Sequence, residues 1–259
     1  MTGVRTAVQG QILEVVLDNP KANAITAAMS RALAEVFTSF NADPDLRVAI
    51  ISGAGERFFS AGADLKEIDA TGGAVDYGPQ GFAGLIEFPD LCKPVIAAVN
   101  GLCVGGGFEL ALACDMIVAS ETAQFFLTET RIGNLPYLAS IRRLMARLPV
   151  NIATEMLYTG RRMSAADLEL LGLVNHVVSP GDLRDAAMRL AEEMAASGPL
   201  SIAACRRAIT IVQGFAGAEH GNQAMRDLQA EFAAVMISDD AKEGAKAFIE
   251  KRPAVWQGR

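Results

Sequence analysis

Apolar residues fall along this chain in two rhythms. In "QILEVVL" (11–17) they alternate, the period of a strand. In "ITAAMSRALAEVFTSF" (25–40), Met29, Leu33, Val36, Phe37 and Phe40 recur at helical spacing, and Thr26 stands where an N-cap belongs. Three short runs, "RVAIIS" (47–52), "PVIAAVN" (94–100) and "DMIVAS" (115–120), are apolar and bounded by glycine or charge, which predicts buried strands. "SAADLELLG" (164–172) predicts a short helix capped by Ser164 and stopped by Gly172. From about Asp182 onward the chain is rich in alanine, with charges at helical spacing, and reads as all helix. No low-complexity linker separates these parts.

A weak internal repeat is superimposed on this pattern. "RVAIISGAGERFFSAGADL" runs strand, glycine, excursion, glycine, acid, helix, and "PVIAAVNGLCVGGGFEL" does the same. Each unit places a small-residue turn at a helix start, just before an acidic residue. Two such units side by side bring two helix N-termini together, where free N–H groups favour negative charge and glycine allows close approach. The plainer reading is that the glycines turn tight corners.

Glu109 sharpens the choice. It sits in "GGGFELALACD" (105–115), with apolar residues following, where a carboxylate is costly unless it is needed. If Gly105, Gly106 and Gly107 open a buried helix, their amides can point at a developing oxyanion, and Ala63 in the other unit can supply a second donor. Glu109 then lies in the first turn, where burial raises its pKa toward working pH and suits it to proton transfer. The second candidate acid is Glu129 in "AQFFLTETRIGNLP" (123–136), on a loop after a short strand; a surface ion pair with Arg131 is the competing reading.

Composition narrows the remaining classes. The 259 residues suffice for one large or two modest domains, and half are hydrophobic. The net charge of −7 and the lack of a basic run argue against nucleic acid as a partner. The charge-free apolar stretch from Pro94 to Phe108 is too short and too glycine-rich for a membrane span. No signal-peptide pattern opens the chain, so a cytoplasmic protein is expected. Cys92, Cys103, Cys114 and Cys205 form no CxxC and are expected to be reduced core residues without metal. The histidines, His176 and His220, lie in neither HExxH nor a GxSxG context; His176, in the strand-like "LVNHVV", reads as structural.

The ordered segments "NPKANAI" (19–25), "FFSAGADLKEI" (58–68), "KPVIAAVNGLCVGGGFELALACD" (93–115), "AQFFLTETRIGNLP" (123–136), "LYTGRRMSAADLELLGLVNHVV" (157–178) and "FIEKR" (248–252) together resemble the crotonase, or enoyl-CoA hydratase/isomerase, superfamily over nearly the whole chain. The resemblance implies an α/β fold, a crotonase-like spiral of ββα units over residues 1–195. A helical C-terminal trimerisation region over 196–259 would complete it, in a homotrimer or dimer of trimers. It implies an oxyanion hole from the backbone N–H groups of Ala63 and Gly106. Glu109 and Glu129 would hold a water between them, one activating it for attack on the β-carbon and the other passing a proton at the α-carbon. Lys21 and Ala22 match the segment along the CoA chain, and Ala61, Asp64, Leu65 and Lys66 the loop around the adenine. Phe248 and Lys251 match residues reaching the CoA of a neighbouring subunit. No metal or separate cofactor is implied, since CoA arrives as part of the acyl-CoA substrate. Within the superfamily, "PKANAI", "DPDLRVAIISGAGERFFSAG" (43–62), "DYGPQGFAGL" (76–85), "GGGFELALACDMIV" and "EKRPAVWQGR" are similar to the carnitinyl-CoA dehydratase branch.

One departure stands out. After Glu129 the family usually carries a glycine-rich turn beyond the proline, and here "LPYLASIRRL" (135–144) puts Tyr137, Leu138, Ala139 and Ser140 in its place. The Tyr137 ring, expected to line the acyl site, could shrink the pocket, shift the water, or hold a trimethylammonium group on its face. Three readings stay open: hydration with altered acyl selectivity; another reaction through the same enolate (isomerisation, hydrolysis or decarboxylation); or a weakly catalytic acyl-CoA-binding subunit. Phe82 is a further candidate for the acyl pocket, and Trp256 is expected at a subunit edge.

Overall fold

The apolar runs become strands covered on both sides. The computed structural model describes residues 3–73, 75–212 and 221–259; His220 lies outside them. Strand β1 (Val4–Gln9) pairs antiparallel with β2 (Ile12–Leu17), and helix α1 (Ala27–Ala42) crosses over to β3 (Val48–Gly53), parallel to β2. Then a unit recurs. β3 leads to β4 (Phe58–Ser60) and α2 (Leu65–Ala70). β5 (Val95–Val99) leads to β6 (Leu102–Val104) and α3 (Gly106–Ala113). β7 (Met116–Ser120) leads to β8 (Gln124–Phe126), a single 3-10 turn at Glu129–Ile132, and α4 (Leu138–Arg147). The chain continues through α5 (Val150–Thr159), β9 (Met163–Ser164), α6 (Ala165–Leu170), β10 (His176–Val178) and α7 (Leu183–Ala195). Helices α8 (Pro199–Val212), α9 (Gly221–Ile237) and α10 (Asp239–Glu250) follow.

In each repeated unit the first strand enters a six-stranded sheet, ordered β1-β2-β3-β5-β7-β10, and the second enters a four-stranded sheet, ordered β4-β6-β8-β9. This is the ββα spiral. Side chains of the large sheet alternate between two cores, as the period of a strand requires. Ala49, Ile51, Val95, Ala97, Val99, Ile117 and Ala119 face the main core, which also takes in α1, α3 and the small sheet. Val48, Ile50, Ile96, Ala98 and Val118 face a second core closed by Leu183, Ala187, Met188 and Ala191 of α7. Two covered faces explain why these strands are uniformly apolar rather than alternating.

The caps sit where the sequence puts them. The Thr26 hydroxyl accepts the Met29 N–H, and Ser164 forms a reciprocal capping box with Asp167. Strand β1 was not signalled, because it is an exposed edge with no apolar rhythm. Cys103 and Cys114 are buried and free, but Cys92 and Cys205 are exposed, contrary to the expectation of core cysteines. Cys92 lies in the turn before β5, its N–H held by the Asn41 side chain, and Cys205 follows Ala204, the residue that α8 buries. His176 is exposed on the edge strand β10. Trp256 packs within its own chain against Gly198 and Gly244, its indole N–H donating to the Ala196 carbonyl. Among the described residues, no helix is long and apolar enough to cross a membrane.

The spiral brings backbones into contact at its turns. A Cβ on Gly107 would stand 2.3 Å from the Ser60 carbonyl oxygen at the end of β4. Gly107→Ala is therefore expected to lower stability by about 1–3 kcal/mol in urea unfolding. Gly181→Ala, where nothing lies within 4 Å, should change it by less than about 0.5 kcal/mol. Equal effects at the two positions would contradict this packing.

Candidate active site

The site begins where β6 turns into α3. Gly105 adopts φ +53, a left-handed conformation that favours glycine, and a Cβ there would meet a Glu129 carboxylate oxygen at 2.8 Å. Its N–H donates to the Phe126 carbonyl at 2.9 Å, tying the helix start to the end of β8. Every residue of α3 is buried, including Glu109 in its first turn, which is only 2 % exposed. A helix apolar all round, with one carboxylate, leaves that carboxylate no access to bulk water.

The first repeated unit, at the turn between β4 and α2, supplies the facing turn. A Cβ on Gly62 would lie 2.7 Å from the Gly106 nitrogen, so residues 62 and 63 abut the start of α3. Ile25 bridges this turn: its N–H donates to the Gly62 carbonyl, and its own carbonyl accepts the Asp64 N–H. That pattern skips Ala63. Neither the Ala63 nor the Gly106 N–H has a hydrogen-bond partner among the described residues. Two adjacent, unengaged backbone donors are what an oxyanion requires. The Phe82 ring edge closes over Gly106, where a Cβ would stand 2.7 Å from ring carbon Cε1.

The two glutamates come together, and the charge of Glu129 acts on Glu109. Burial is the main force pushing the Glu109 pKa up to about 7, and the Glu129 charge adds to it. The Tyr137 N–H, which donates to Glu109 Oε1 at 2.6 Å, the Ser140 hydroxyl and the Arg143 guanidinium oppose the rise. The Ser140 hydroxyl is close enough to temper Glu109 but falls outside hydrogen-bond geometry, and its oxygen is buried without a partner. Burial also raises the Glu129 pKa, against the pull of the Glu129 and Thr128 backbone N–H groups. Its Oε2 is buried and unpartnered, and no ion pair with Arg131 forms among the described residues. Two buried carboxyl groups, each with raised proton affinity, can exchange one proton between them and a bound molecule.

The remaining candidates fall in two groups. Lys21, at φ 80, precedes Ala22, whose carbonyl accepts the Ala61 N–H at 2.9 Å, so these residues border the Ala63 turn. Asp64 caps α2 through the Lys66 and Glu67 N–H groups, and Leu65 is exposed beside it. Phe248 and Lys251 stand apart at the C-terminal end of α10, with Phe248 87 % exposed. Sequence reasoning did not reach Arg143, which acts on Glu109 through its charge; two turns into α4 it carries no motif of its own. Among the described residues, no cluster of three or more side chains has the make-up of a metal site.

Known proteins resemble this chain in both sequence and fold. A family model described as enoyl-CoA hydratase/isomerase matches residues 7–259. A protein named carnitinyl-CoA dehydratase from Salmonella paratyphi A is 50% identical over 252 residues, 96% of each chain. The solved structure of an enoyl-CoA hydratase from Mycobacterium tuberculosis H37Rv superposes with a TM-score of 0.90 at 37% identity, covering 100% of both chains. An enoyl-CoA hydratase from Mycobacterium marinum superposes equally well, with a TM-score of 0.90 at 38% identity over 100% of both chains. The chain belongs to the enoyl-CoA hydratase/isomerase family.

Proposed function

We propose that this protein is a hydro-lyase that interconverts crotonobetainyl-CoA and carnitinyl-CoA by adding or removing water. The observation that carries the reading is the meeting of two buried carboxylates with two unengaged backbone N–H groups. The 50% identity to a protein named carnitinyl-CoA dehydratase supports the acyl group.

In this reading the thioester oxygen accepts hydrogen bonds from the Ala63 and Gly106 N–H groups, which draws electrons from the conjugated double bond. Glu109 and Glu129 hold a water beneath the β-carbon. One carboxylate takes a proton from the water as its oxygen bonds to the β-carbon. The electron pair of the double bond passes to the enolate, and the other carboxyl group delivers a proton to the α-carbon. Dehydration is the reverse, and the pair ends each turnover with its total proton count unchanged. Tyr137 contributes its backbone N–H to one Glu109 oxygen, leaving the other to the water. CoA would lie along Lys21 and Ala22, with Ala61, Asp64, Leu65 and Lys66 around its adenine. Phe248 and Lys251 would serve a neighbouring subunit's CoA, with residues 196–259 holding a trimer together.

Loss of enoyl-thioester ultraviolet absorbance with crotonobetainyl-CoA tests the reading. Wild type is expected to consume the substrate, with Glu109→Gln and Glu129→Gln each at least about 100-fold slower, the scale of positioned acid–base catalysis. Full activity in either variant would remove that residue from the mechanism. The pH dependence of stability gives a separate check on Glu109. Its folded pKa of about 7 exceeds the ordinary value of 4.5, so the folded state binds the extra proton and stability falls as pH rises between those values. Glu109→Gln removes that loss. Its stability relative to wild type is expected to grow by on the order of 2 kcal/mol between pH 5 and pH 8 in urea unfolding. A difference independent of pH would mean that Glu109 titrates normally.

A further inference from the structure

Beside the Gly106 amide the structure builds a wall of three aromatic rings. Phe82 is buried with its edge on Gly106. Tyr77 meets it edge-on, with ring centroids 5.0 Å apart and planes at 81°. Tyr137 stacks on it at 6.0 Å and 27°. The Tyr77 and Tyr137 planes therefore stand at a steep angle to each other, making a corner, and both rings are only half-buried. The segment carrying Tyr77 is fixed in place, since the Ser30 hydroxyl bonds the Tyr77 and Gly81 carbonyls and Arg31 bonds the Asp76 carbonyl.

Two features make this corner unlike ordinary core packing. The Tyr77 hydroxyl is buried without a hydrogen-bond partner among the described residues, a cost that native cores seldom leave unmet. The surrounding charge is also negative: Glu67 and Asp64 act on Tyr77, and Glu109 and Glu87 on Tyr137. Ring faces present negative charge to what lies above them, so aromatic planes in a carboxylate field suit an organic cation, whose polarised C–H groups can also lie against the Tyr77 hydroxyl oxygen.

We propose that Tyr77, Phe82 and Tyr137 form the subsite that receives the quaternary ammonium group of the acyl chain. The inference rests on the hydro-lyase reading above. The order of groups agrees with it: with the carbonyl on the Gly106 N–H and the β-carbon at the glutamates, the nitrogen of a betainyl chain is attached one carbon further on, and the ring wall adjoins both points, Phe82 at Gly106 and Tyr137 through its N–H to Glu109 Oε1. The departure of residues 137–140 from the glycine-rich turn gains a purpose, since Tyr137 supplies both the N–H that orients Glu109 and a ring for the cation.

Binding of two inert saturated thioesters separates this inference from the reading beneath it. One is γ-butyrobetainyl-CoA, and the other is 5,5-dimethylhexanoyl-CoA, the same shape with carbon in place of the charged nitrogen. Calorimetry on the wild-type protein is expected to give about tenfold tighter binding of the charged thioester, equivalent to about 1.4 kcal/mol. Tyr137→Leu and Tyr77→Leu should each bring the ratio toward one, while Tyr137→Phe, which keeps the ring face, should retain it. Equal binding of the two thioesters by wild type, or a ratio unmoved in both leucine variants, overturns the subsite and leaves the hydro-lyase reading standing. Failure of both thioesters to bind overturns both.

Discussion

The structure is organised around the burial of one carboxylate at the start of an otherwise apolar helix. Glu109 is shut away from bulk water by α3 itself, by the strands on which α3 lies and by α4. A desolvated carboxylate is unfavourable in its charged form. The protein compensates only in part, through the Tyr137 N–H and the positive charge of Arg143. What remains uncompensated is the raised proton affinity, and the adjacent Glu129 adds to it. Stability is given up at this point for a group able to gain and lose a proton near neutral pH.

Backbone rather than side chains makes the site possible. The ββα repeat sets β4 beside β6 and β6 beside β8, so three successive turns arrive at one place. The first brings Ala63, the second Gly106 and the third Glu129. Close approach at each crossing excludes a Cβ: Gly62 lies against the Gly106 nitrogen, Gly107 against Ser60 and Gly105 against the Glu129 carboxylate. The bonds that Ile25 makes on either side of Ala63 leave that residue's N–H free, as the start of a helix leaves that of Gly106. A mobile loop could not keep two donors aimed at one point without a ligand; a turn clamped between packed strands can.

Much of this was legible in the sequence, for reasons that differ by element. Helix α1 buries apolar residues at regular intervals, and β3, β5 and β7 are short unbroken apolar runs bounded by glycine or charge, so each declares itself by its pattern. The GGGFE run joins glycines required by close approach to an acid placed in an apolar setting, a combination that elementary energetics marks as purposeful. Glu129 was harder to judge, because the Arg131 beside it suggested an ion pair; only the fold shows its Oε2 buried instead. The exposed edge strand β1 and the three-residue strands β4 and β6 lack a pattern long enough to read, whereas the short strand before Glu129 is β8. Cys92 and Cys205 were misplaced because an apolar neighbourhood in sequence does not say which side of a turn or helix faces the solvent. The aromatic corner is a tertiary product, since Tyr77, Phe82 and Tyr137 come from segments that no local rule connects.

The most direct test of the central claim is a titration of Glu109 by carbon-13 NMR of the labelled carboxyl, in wild type and in Glu129→Gln. Glu109 is expected to titrate near pH 7 in wild type and at a lower pH once the Glu129 charge is gone. A Glu109 that titrates near 4.5 in both proteins would show a carboxylate in ordinary contact with water, and the account of a coupled, desolvated pair would fall.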